Sequence, residues 1–417
     1  MKFQAIKGTH DILPDEVGAW HRVEVAAREL FARYGYRELR TPVFEQTELF
    51  ARGIGAETDI VSKEMYTFED RDGGSLTLRP EATAGIVRAV IEHNLMNTDP
   101  ALRVYALGPM FRRERPQKGR YRQFHQVDVE AFGFKSPTID AEVIELALAF
   151  LDACGVTERE LVLNSVGDSS CRPAYVARLQ QALRELGPAL CGDCQRRVET
   201  NPLRVLDCKV PADQAAIDSL PRISDHLCAP CAEHFAEVRR QLELLGIPYR
   251  LSHRLVRGLD YYVRTTFEVT SSALGAQSSI LGGGRYDGLV KALGGPDLPG
   301  IGFAVGLERL VSLVADSEPD SRCDVFLMPL AANALDPALR LQRRLRQAGL
   351  RVLLDPEERS FKSRMKQADK LGARFTAILG EDEITRGVWT LRDMARSEQR
   401  QLTEEKILDE LKETTHG

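Results

Sequence analysis

The residue types best suited to chemistry are concentrated in residues 112–130, which read RRERPQKGRYRQFHQVDVE. Between Arg112 and Arg122 there are six basic residues and one acidic residue, a local charge of +5 in a chain whose net charge is −5. The side chains that follow alternate, so one face of a strand would carry Phe124, Gln126, Asp128 and Glu130. An amide and two carboxylates must meet water or a polar ligand, because burying them unpaired is costly. The pattern favours a phosphate-binding loop beside a site for an amine; the alternative is a solvated hairpin with a charged tip.

Two further arginines stand in unusual contexts, and arginine is the side chain whose planar fork suits phosphate and carboxylate. Arg257 precedes Gly258, and Arg309 lies in the glycine-flanked stretch GLERL. No glycine-rich loop ends in Gly-Lys-Ser/Thr, and no glycine triplet has dinucleotide-binding spacing. A triphosphate would therefore have to be bound by arginines, although each arginine taken singly is as well explained by a surface ion pair.

Three consecutive glycines at 282–284 lie in a stretch that otherwise suits a strand or a turn. They allow either close backbone contact with a flat ligand such as adenine, or a mobile loop.

The composition is that of an ordinary folded protein. The 417 residues are 43% hydrophobic and 28% charged, and this length predicts two or three domains. The N-terminal stretch MKFQAIKGTH lacks the apolar core of a signal peptide, and no apolar run approaches a membrane span, so we expect a cytoplasmic protein without membrane contact. Affinity for nucleic acid would have to come from local basic patches, and residues 359–374 form a second one.

Hydrophobic periodicity predicts the elements that position these residues. Residues 15–34 repeat apolar side chains at three- and four-residue steps, as in an amphipathic helix. Residues 39–43 then read as a short strand, in which Pro42 would mark a sheet edge where a second subunit could dock. Residues 104–111 and the strand after the basic loop predict a long hairpin.

Changes in composition divide the chain into four segments. Residues 1–167 and 241–316 would form one domain, interrupted by a small inserted domain over 168–240 that is rich in cysteine and polar residues. An acidic, proline-bearing linker at 315–322 precedes a C-terminal domain over 322–417. There, strands and helices alternate, as in a small α/β domain with a mainly parallel centre.

The inserted segment holds two Cys-x-x-Cys pairs, Cys191–Cys194 and Cys228–Cys231, whose residue types suit tetrahedral zinc. Their separation exceeds the usual ribbon spacing, and Cys208 and His234 are further candidate ligands. In a cytosolic chain, cysteines are expected to be thiols or metal ligands rather than disulfides. We therefore predict a structural Zn²⁺ at the two pairs, with reduced thiols as the alternative.

The chain resembles the bacterial histidyl-tRNA synthetases, which are class II aminoacyl-tRNA synthetases, over essentially its whole length. The helix and strand ending at Pro42 resemble motif 1 of the class, GPMFRRERPQKGRYRQFHQ resembles motif 2, and GIGFAVGLERL resembles motif 3. LVRGLDYY and LGGGRYDGL resemble the two histidine-specific signatures, and KGTHDILP near the N-terminus is also typical. One departure is Ala82 in PEAT, where glycine is frequent. The paired Cys-x-x-Cys motifs are not general in the family.

The resemblance implies an α+β fold: a catalytic domain with an antiparallel sheet flanked by helices, a small inserted domain, and a C-terminal α/β anticodon-binding domain. It implies a homodimer that takes L-histidine, ATP with Mg²⁺ and the histidine tRNA as substrates. Histidine and ATP would give histidyl-adenylate and pyrophosphate, after which the histidyl group would move to the terminal ribose of the tRNA.

Roles at the nucleotide are also implied. Arg257 would contact the substrate carboxylate and the α-phosphate in place of a general base, and Arg112 would hold the α-phosphate from the other side. Arg309 would hold the γ-phosphate. Gly283 and Gly284 would line the ATP site.

Roles at the amino acid and the tRNA follow in the same way. The ammonium group would be bound by Glu81, Thr83 and Gln126. The imidazole would donate to Glu130 and accept from Tyr262, with Tyr261 lining the same pocket. In the basic loop, Arg115 and Gln117 would read the acceptor end of the tRNA.

Three other functions compete with this one. A synthetase-like regulatory subunit of ATP phosphoribosyltransferase shares the catalytic fold, but such proteins typically lack the C-terminal domain and have degraded signatures. A synthetase for glycine, proline or threonine would not need the pairing of Glu130 with Tyr262. A pure RNA-binding module would leave Glu81, Glu130 and Arg257 without a role.

Overall fold

The computed structural model describes residues 3–55, 58–117, 119–314, 323–357 and 359–413, and the linker expected at 315–322 lies outside them. The chain divides into two compact units, Met1–Asp316 and Ser317–Gly417. Among the described residues, no helix is long and apolar enough to cross a membrane.

The strands of the first unit, in chain order, are β1 (Arg37–Glu38), β2 (Phe44–Gln46), β3 (Tyr66–Glu69), β4 (Ser75–Leu78), β5 (Arg103–Phe111), β6 (Gln123–Phe132), β7 (Glu160–Ser165), β8 (Arg250–Leu251), β9 (Val263–Thr270), β10 (Ser279–Arg285) and β11 (Gly300–Gly306). Eight of them form one sheet in the order β1-β5-β6-β11-β10-β9-β7-β8. The interior pairs are antiparallel, and only the edge strands β1 and β8 pair in parallel with their neighbours. This confirms the expected antiparallel sheet and the long β5–β6 hairpin.

The helices of the first unit are α1 (Val17–Arg33), α2 (Thr47–Ile54), α3 (Thr83–Glu92), α4 (Leu95–Thr98), α5 (Pro137–Ala153), α6 (Arg172–Leu186), α7 (Gly192–Thr200), α8 (Gln214–Asp218), α9 (Ala229–Leu244), α10 (Leu289–Ala292) and α11 (Leu307–Val311). The apolar face of α1 packs on the large sheet and on α5. The Phe31 ring lies 5.1 Å between centroids from Tyr105 of β5, edge to face, and 5.1 Å from Phe150 of α5, in a tilted arrangement. At the start of α5, the Ser136 hydroxyl accepts from the amide of Thr138, and Pro137 occupies the first turn, as expected at a helix N-terminus.

A buried ion pair fastens α5 to the sheet. The Arg285 guanidinium at the end of β10 is fully buried and donates to the Asp140 carboxylate on α5. His234 on α9 lies 2.8 Å from the same carboxylate. Because removing one partner would leave a buried charge unpaired, this triad holds the three elements in a fixed relation.

The cysteine-rich segment has a small apolar core of its own, formed by α6, α7, α8 and the turns between them. Its last helix, α9, packs against α5, and there Val238 and Leu242 belong to the core of the large sheet. The contacts therefore run continuously from the inserted segment into the rest of the first unit.

The expected strand over residues 39–43 is not formed. Short strands lie on either side, β1 at 37–38 and β2 at 44–46, and they belong to different sheets. Pro42, which cannot donate to a ladder, lies in the irregular link between them. β2 joins a three-stranded sheet, β2-β4-β3, on which Phe44 and Phe68 are 49% and 45% exposed.

The second unit contains a five-stranded sheet in the order β13-β12-β14-β15-β16. Its strands are β12 (Val325–Pro329), β13 (Val352–Leu354), β14 (Phe375–Leu379), β15 (Trp389–Asp393) and β16 (Gln399–Leu402), and its helices are α12 (Leu335–Gln347), α13 (Phe361–Lys370), α14 (Glu381–Arg386) and α15 (Glu404–Glu413). The centre of the sheet is parallel, as predicted, and β15 and β16 add antiparallel pairs.

Candidate active site

A cavity of about 210 Å³ opens on one face of the large sheet, over β6, β11 and β10. Nine of the residues that sequence analysis singled out line it together: Glu81, Thr83, Arg112, Gln126, Glu130, Arg257, Tyr261, Tyr262 and Arg309. They come from five separate stretches of the chain. The fold thus brings the basic and the acidic residues around one space.

The alternation of β6 determines which of its side chains reach the cavity. Phe124, Gln126, Asp128 and Glu130 line it, as predicted. On the opposite face, Val127, Val129 and Ala131 lie in the core. His125 is held beneath Trp20 at 5.1 Å between ring centroids and pairs with Glu308 at 3.1 Å.

One end of the cavity is acidic. Glu81, just before α3, accepts from the amides of Thr83 at 2.7 Å and Ala84 at 3.0 Å, which orients its carboxylate at the helix N-terminus. The Thr83 hydroxyl donates to Glu130 Oε1 at 2.6 Å, and the Tyr286 hydroxyl donates to Oε2. Glu130 therefore has a fixed orientation, while the remaining lone pairs of its carboxylate can accept from a ligand.

Burial disfavours the ionised form of these carboxylates. It raises the pKa of Glu130 to about 8, although the hydrogen bonds from Thr83 and Tyr286 favour the ionised form. Burial also raises the pKa of Glu81, against the stabilising amide bonds. The pKa of Asp128 is raised well above its ordinary value by burial and by its neighbours Glu130 and Glu81. A bound cation would relieve all three shifts, so this end of the cavity suits an ammonium group.

Several buried polar atoms here have no partner within the described protein. They are Gln126 Oε1, Asp128 Oδ2 and Arg257 Nε. Buried polar atoms are normally satisfied, so two acceptors and one donor around the same space indicate a polar ligand. A molecule with an ammonium group near a carboxylate would donate to the two acceptors and accept from the Arg257 donor.

The other end of the cavity is basic. Arg112 Nε donates to the Pro80 carbonyl at 2.8 Å, and its guanidinium lies 5.2 Å from the Phe124 ring centroid. Arg309 donates to the carbonyls of Gly119 at 3.0 Å and Ser279 at 2.9 Å. Backbone carbonyls orient both guanidinium groups without neutralising their charge. Arg112 Nη1 also forms a long ion pair with Glu114 Oε1 at 3.9 Å, so a phosphate would compete with Glu114 for Arg112.

Arg257 lies over the strand that carries the glycines. A Cβ at Gly282 would lie 2.2 Å from the Arg257 guanidinium carbon, so only glycine lets this side chain lie flat on β10. Gly282 lines the cavity. Gly283 and Gly284, which are predicted to line the ATP site, are not among the residues that line this cavity. A Cβ at Gly283 would meet the Gly302 carbonyl, and a Cβ at Gly284 would meet the Thr265 carbonyl, so these glycines permit close strand packing instead.

Arg115 and Gln117 lie on the basic loop outside the cavity, and both are exposed. Gln117 forms an isolated antiparallel bridge with Arg120, which lines the cavity. Lys118 between them lies outside the described residues. Arg115 and Gln117 are therefore accessible to a large partner, separately from the small-molecule site.

Sequence reasoning missed Tyr286 and Gly282 as site residues, and it did not give Asp128 a role. Tyr286 follows the buried Arg285 at the end of β10, and its contact with Glu130 depends on the β10–β11–β6 strand order. Asp128 was marked by the alternation on β6, and its position between Gln126 and Glu130 was a usable signal. No local pattern distinguishes Gly282 from its two neighbours.

The two Cys-x-x-Cys pairs do not form one site, which corrects the prediction of a single zinc held by four cysteines. Cys191 and Cys228 each immediately precede a different helix, α7 and α9. Cys191 and Cys194 lie with Cys208 and Asp213, whereas Cys228 and Cys231 lie with Cys171 and Asp168. His234 is not part of either group, because it pairs with Asp140.

Comparison with known proteins gives consistent matches. The family described as Histidyl-tRNA synthetase matches residues 8–310, and the Anticodon binding domain matches residues 324–414. A histidine–tRNA ligase of Solibacter usitatus is 54% identical over 405 residues, which cover 97% of each chain. One from Koribacter versatilis is 51% identical and covers 95% of this chain and 93% of its own.

A solved structure agrees with these sequence matches. The apo crystal structure of S. aureus histidyl-tRNA synthetase superimposes with a TM-score of 0.83 and 36% identity, covering 99% of this chain and all of that one. The match spans the cavity-bearing unit and the C-terminal unit alike. The chain therefore belongs to the histidyl-tRNA synthetase family.

Proposed function

We propose that this chain activates L-histidine with ATP to histidyl-adenylate and transfers the histidyl group to the 3′ end of the histidine tRNA. The observation that carries the proposal is a single cavity with buried carboxylates at one end and guanidinium groups at the other. Such a cavity matches the charges of an amino acid lying against a triphosphate. Full-length relatives named histidine–tRNA ligase, at 54% and 51% identity, support this function over the regulatory-subunit alternative. So does the anticodon-binding match at 324–414.

The acidic end would bind histidine. Its ammonium group would lie among Glu81, Thr83 and Gln126, which supply a carboxylate, a hydroxyl and an unsatisfied amide oxygen. The imidazole N–H would donate to Glu130, and its other nitrogen would accept from Tyr262, with Tyr261 closing the side of the pocket. An amino acid without this ring could neither donate to Glu130 nor accept from Tyr262 in a buried site, which is a strong basis for rejection.

The basic end would bind ATP as its Mg²⁺ complex. In the first step the histidine carboxylate attacks the α-phosphorus, the bond to the bridging oxygen of pyrophosphate breaks, and pyrophosphate leaves. The nucleophile is already an anion, so no base is required, and two anions must be held together by positive charge. Arg257 lines the same cavity and would contact both the carboxylate and the α-phosphate. Arg112 would hold the α-phosphate from the other side, and Arg309 the γ-phosphate.

The tRNA would contact surfaces outside the cavity. The exposed Arg115 and Gln117 on the basic loop would read the acceptor end. In the second unit, five basic side chains between 359 and 374 are exposed, whereas Arg364 is buried and donates to the Pro329 and Glu357 carbonyls. We propose that this face of α13 contacts the anticodon arm. We further propose that the enzyme acts in the cytoplasm, where tRNA is used.

We propose a domain assignment to match. Residues 1–167 and 241–316 would form the catalytic domain, 168–240 the inserted domain and 322–417 the anticodon-binding domain. The enzyme would act as a homodimer. The exposed Phe44 and Phe68 support an interface on the three-stranded sheet, since their rings lie 6.5 Å apart on the surface of a folded unit.

The decisive experiment is amino-acid-dependent exchange of pyrophosphate into ATP. We expect exchange with histidine, and we expect Arg257→Ala to reduce it by orders of magnitude while circular dichroism is unchanged. Arg184→Ala, which removes an exposed ion pair with Glu199, is the matched control and should retain full exchange. Exchange with proline or glycine instead of histidine would refute the specificity. No exchange with any amino acid would favour the regulatory subunit.

A further inference from the structure

Two groups of metal-ligating side chains lie away from the cavity that binds substrate. The first cluster consists of Asp168, Cys171, Cys228 and Cys231. The second cluster consists of Cys191, Cys194, Cys208 and Asp213. In each, the three sulfur atoms and one carboxylate oxygen all lie within 4.8 Å of one another.

The first cluster joins parts of the chain that are far apart in sequence. Asp168 and Cys171 lie just before α6, while Cys228 and Cys231 lie at the start of α9. Asp168 Oδ1 is 3.7 Å from Cys171 Sγ and 3.9 Å from Cys228 Sγ. The amide of Asp168 donates to Cys171 Sγ at 3.4 Å, a bond that strengthens when the sulfur is a thiolate.

The second cluster has the same composition. Cys191 Sγ lies 3.9 Å from Cys208 Sγ, and Cys208 Sγ lies 3.3 Å from Asp213 Oδ2. The amide of Val210 donates to Cys208 Sγ at 3.4 Å. Asp213 is only 1% exposed, and the Cys191 amide donates to both of its oxygens at 3.1 Å. Its carboxylate is thereby oriented toward the three sulfurs.

Ordinary packing of thiols does not explain this arrangement. A buried cysteine that serves as a small apolar residue lies among apolar neighbours, as Cys154 does in the core of the large sheet. In each of the two clusters, three thiols lie around one carboxylate, and the four residues come from separate segments of the chain. Three sulfurs and one oxygen within 4.8 Å of one another supply the four ligands of a closed zinc site.

We propose that each cluster binds one Zn²⁺ through three thiolates and one carboxylate oxygen, giving two structural zinc sites per chain. Each ion would displace three thiol protons, so binding releases protons and tightens as pH rises. All four positions are filled by protein, which leaves none open for catalysis.

The first site would also support the substrate cavity. Arg172, next to Cys171, donates to the carbonyls of Val166 at 2.9 Å and Gly167 at 3.1 Å, and to the carbonyl of Tyr262. Zinc at the first cluster would thus fix the stretch that ends in the cavity-lining tyrosines. The second site would hold together the core of the inserted segment, where Cys194 and Cys208 are buried.

Metal analysis of the full-length protein tests the proposal. After purification without chelator and dialysis against metal-free buffer, we expect two zinc ions per chain. Cys171→Ser and Cys208→Ser should each retain one ion, the double variant none, and Cys154→Ala, outside both clusters, should retain two. Zinc contents near zero, or one ion shared by all six cysteines so that either single variant loses it, would overturn the proposal.

A measurement on the wild-type protein tests zinc binding even where the variants fail to fold. An organomercurial titrates thiolates and releases bound zinc, which a colorimetric dye detects. We expect zinc release in two phases that together consume six thiols per chain. Thiol titration without zinc release, or loss of titratable thiols to disulfides within the Cys-x-x-Cys pairs, would refute metal binding. Asp168→Asn and Asp213→Asn should each make one ion more accessible to a competing chelator, and unchanged release would remove the carboxylates from the ligand sets.

Discussion

Substituting Gly282 with alanine would move the guanidinium group of Arg257 while leaving its charge unchanged. The new Cβ would lie 2.2 Å from Cζ and Nη2 of Arg257 and 2.3 Å from Nη1. Ordinary contact between such atoms begins near 3.4 Å. The guanidinium must therefore move off β10 by more than 1 Å, while the backbone stays as it is, because the clashing atoms are the far end of a flexible side chain. The predicted effect is therefore on activity rather than on folding.

A displacement of about 1 Å at a group that positions reactants can cost on the order of 10²-fold in rate, about 2.7 kcal/mol of transition-state stabilisation. We expect Gly282→Ala to reduce histidine-dependent pyrophosphate exchange by about that factor. Pre-steady-state formation of adenylate should fall equally, since Arg257 is proposed to act in that step. The midpoint of urea unfolding should change little.

Two controls make the result specific. Gly288→Ala places a Cβ in open space and should be neutral in both assays. Gly283→Ala places a Cβ 2.2 Å from the Gly302 carbonyl, so it should destabilise the sheet and lower the midpoint of urea unfolding as well as the exchange activity. Full exchange activity in a folded Gly282→Ala protein would refute the assigned role of Arg257. A loss of stability as large as that of Gly283→Ala would refute the argument from side-chain flexibility.

Three further predictions follow from charge and exposure. Because burial raises the pKa of Glu130 from 4.5 to about 8, the folded protein holds a proton that the unfolded chain releases, and stability falls as pH rises through that window. The variant Glu130→Gln lacks this titration, so its free energy of unfolding minus that of wild type should be larger at pH 8 than at pH 4, by up to about a few kcal/mol in urea titrations. A difference that does not change with pH would contradict this. The double variant Lys362→Ala and Lys366→Ala should lower the salt dependence of tRNA binding by about one unit of slope for each phosphate that is no longer neutralised, with pyrophosphate exchange intact; Lys406→Ala is the control. Phe68→Asp should shift the protein from dimer to monomer in light scattering, and an unchanged mass would remove the proposed interface.

Local patterns predicted those parts of the fold whose partners are local in sequence. The apolar repeat over residues 15–34 predicted α1, and alternation around the basic loop predicted the β5–β6 hairpin, because side-chain periodicity reports directly on a buried face. α14 and β16 were missed because both are short and largely exposed, so burial imposes little pattern on them. The strand expected at 39–43 failed because Pro42 interrupts it and its two ends pair in different sheets.

The site followed the same rule. Gln126 and Glu130 were predicted from spacing along one strand, and that spacing survives folding unchanged. The glycines and the cysteines could not be assigned in this way, because their neighbours come from other segments. A Cβ at Gly283 would meet the Gly302 carbonyl of β11, and Cys191 and Cys194 are joined by Cys208 rather than by Cys228. Only the strand order and helix packing determine such contacts.

The acidic end of the cavity has a cost that explains its construction. Glu81, Asp128 and Glu130 are each at most 3% exposed, and burial raises the pKa of all three. Glu81 further raises the pKa of Asp128 and Glu130, so ionising all three without a ligand is unfavourable. Amide and hydroxyl donors orient two of them, Glu81 and Glu130. A cation that enters the site offsets the unfavourable burial of these carboxylates, and this adds to its binding free energy. We therefore expect the same carboxylates to bind the ammonium and the ring of histidine, with the carboxylate of the amino acid directed toward the arginines.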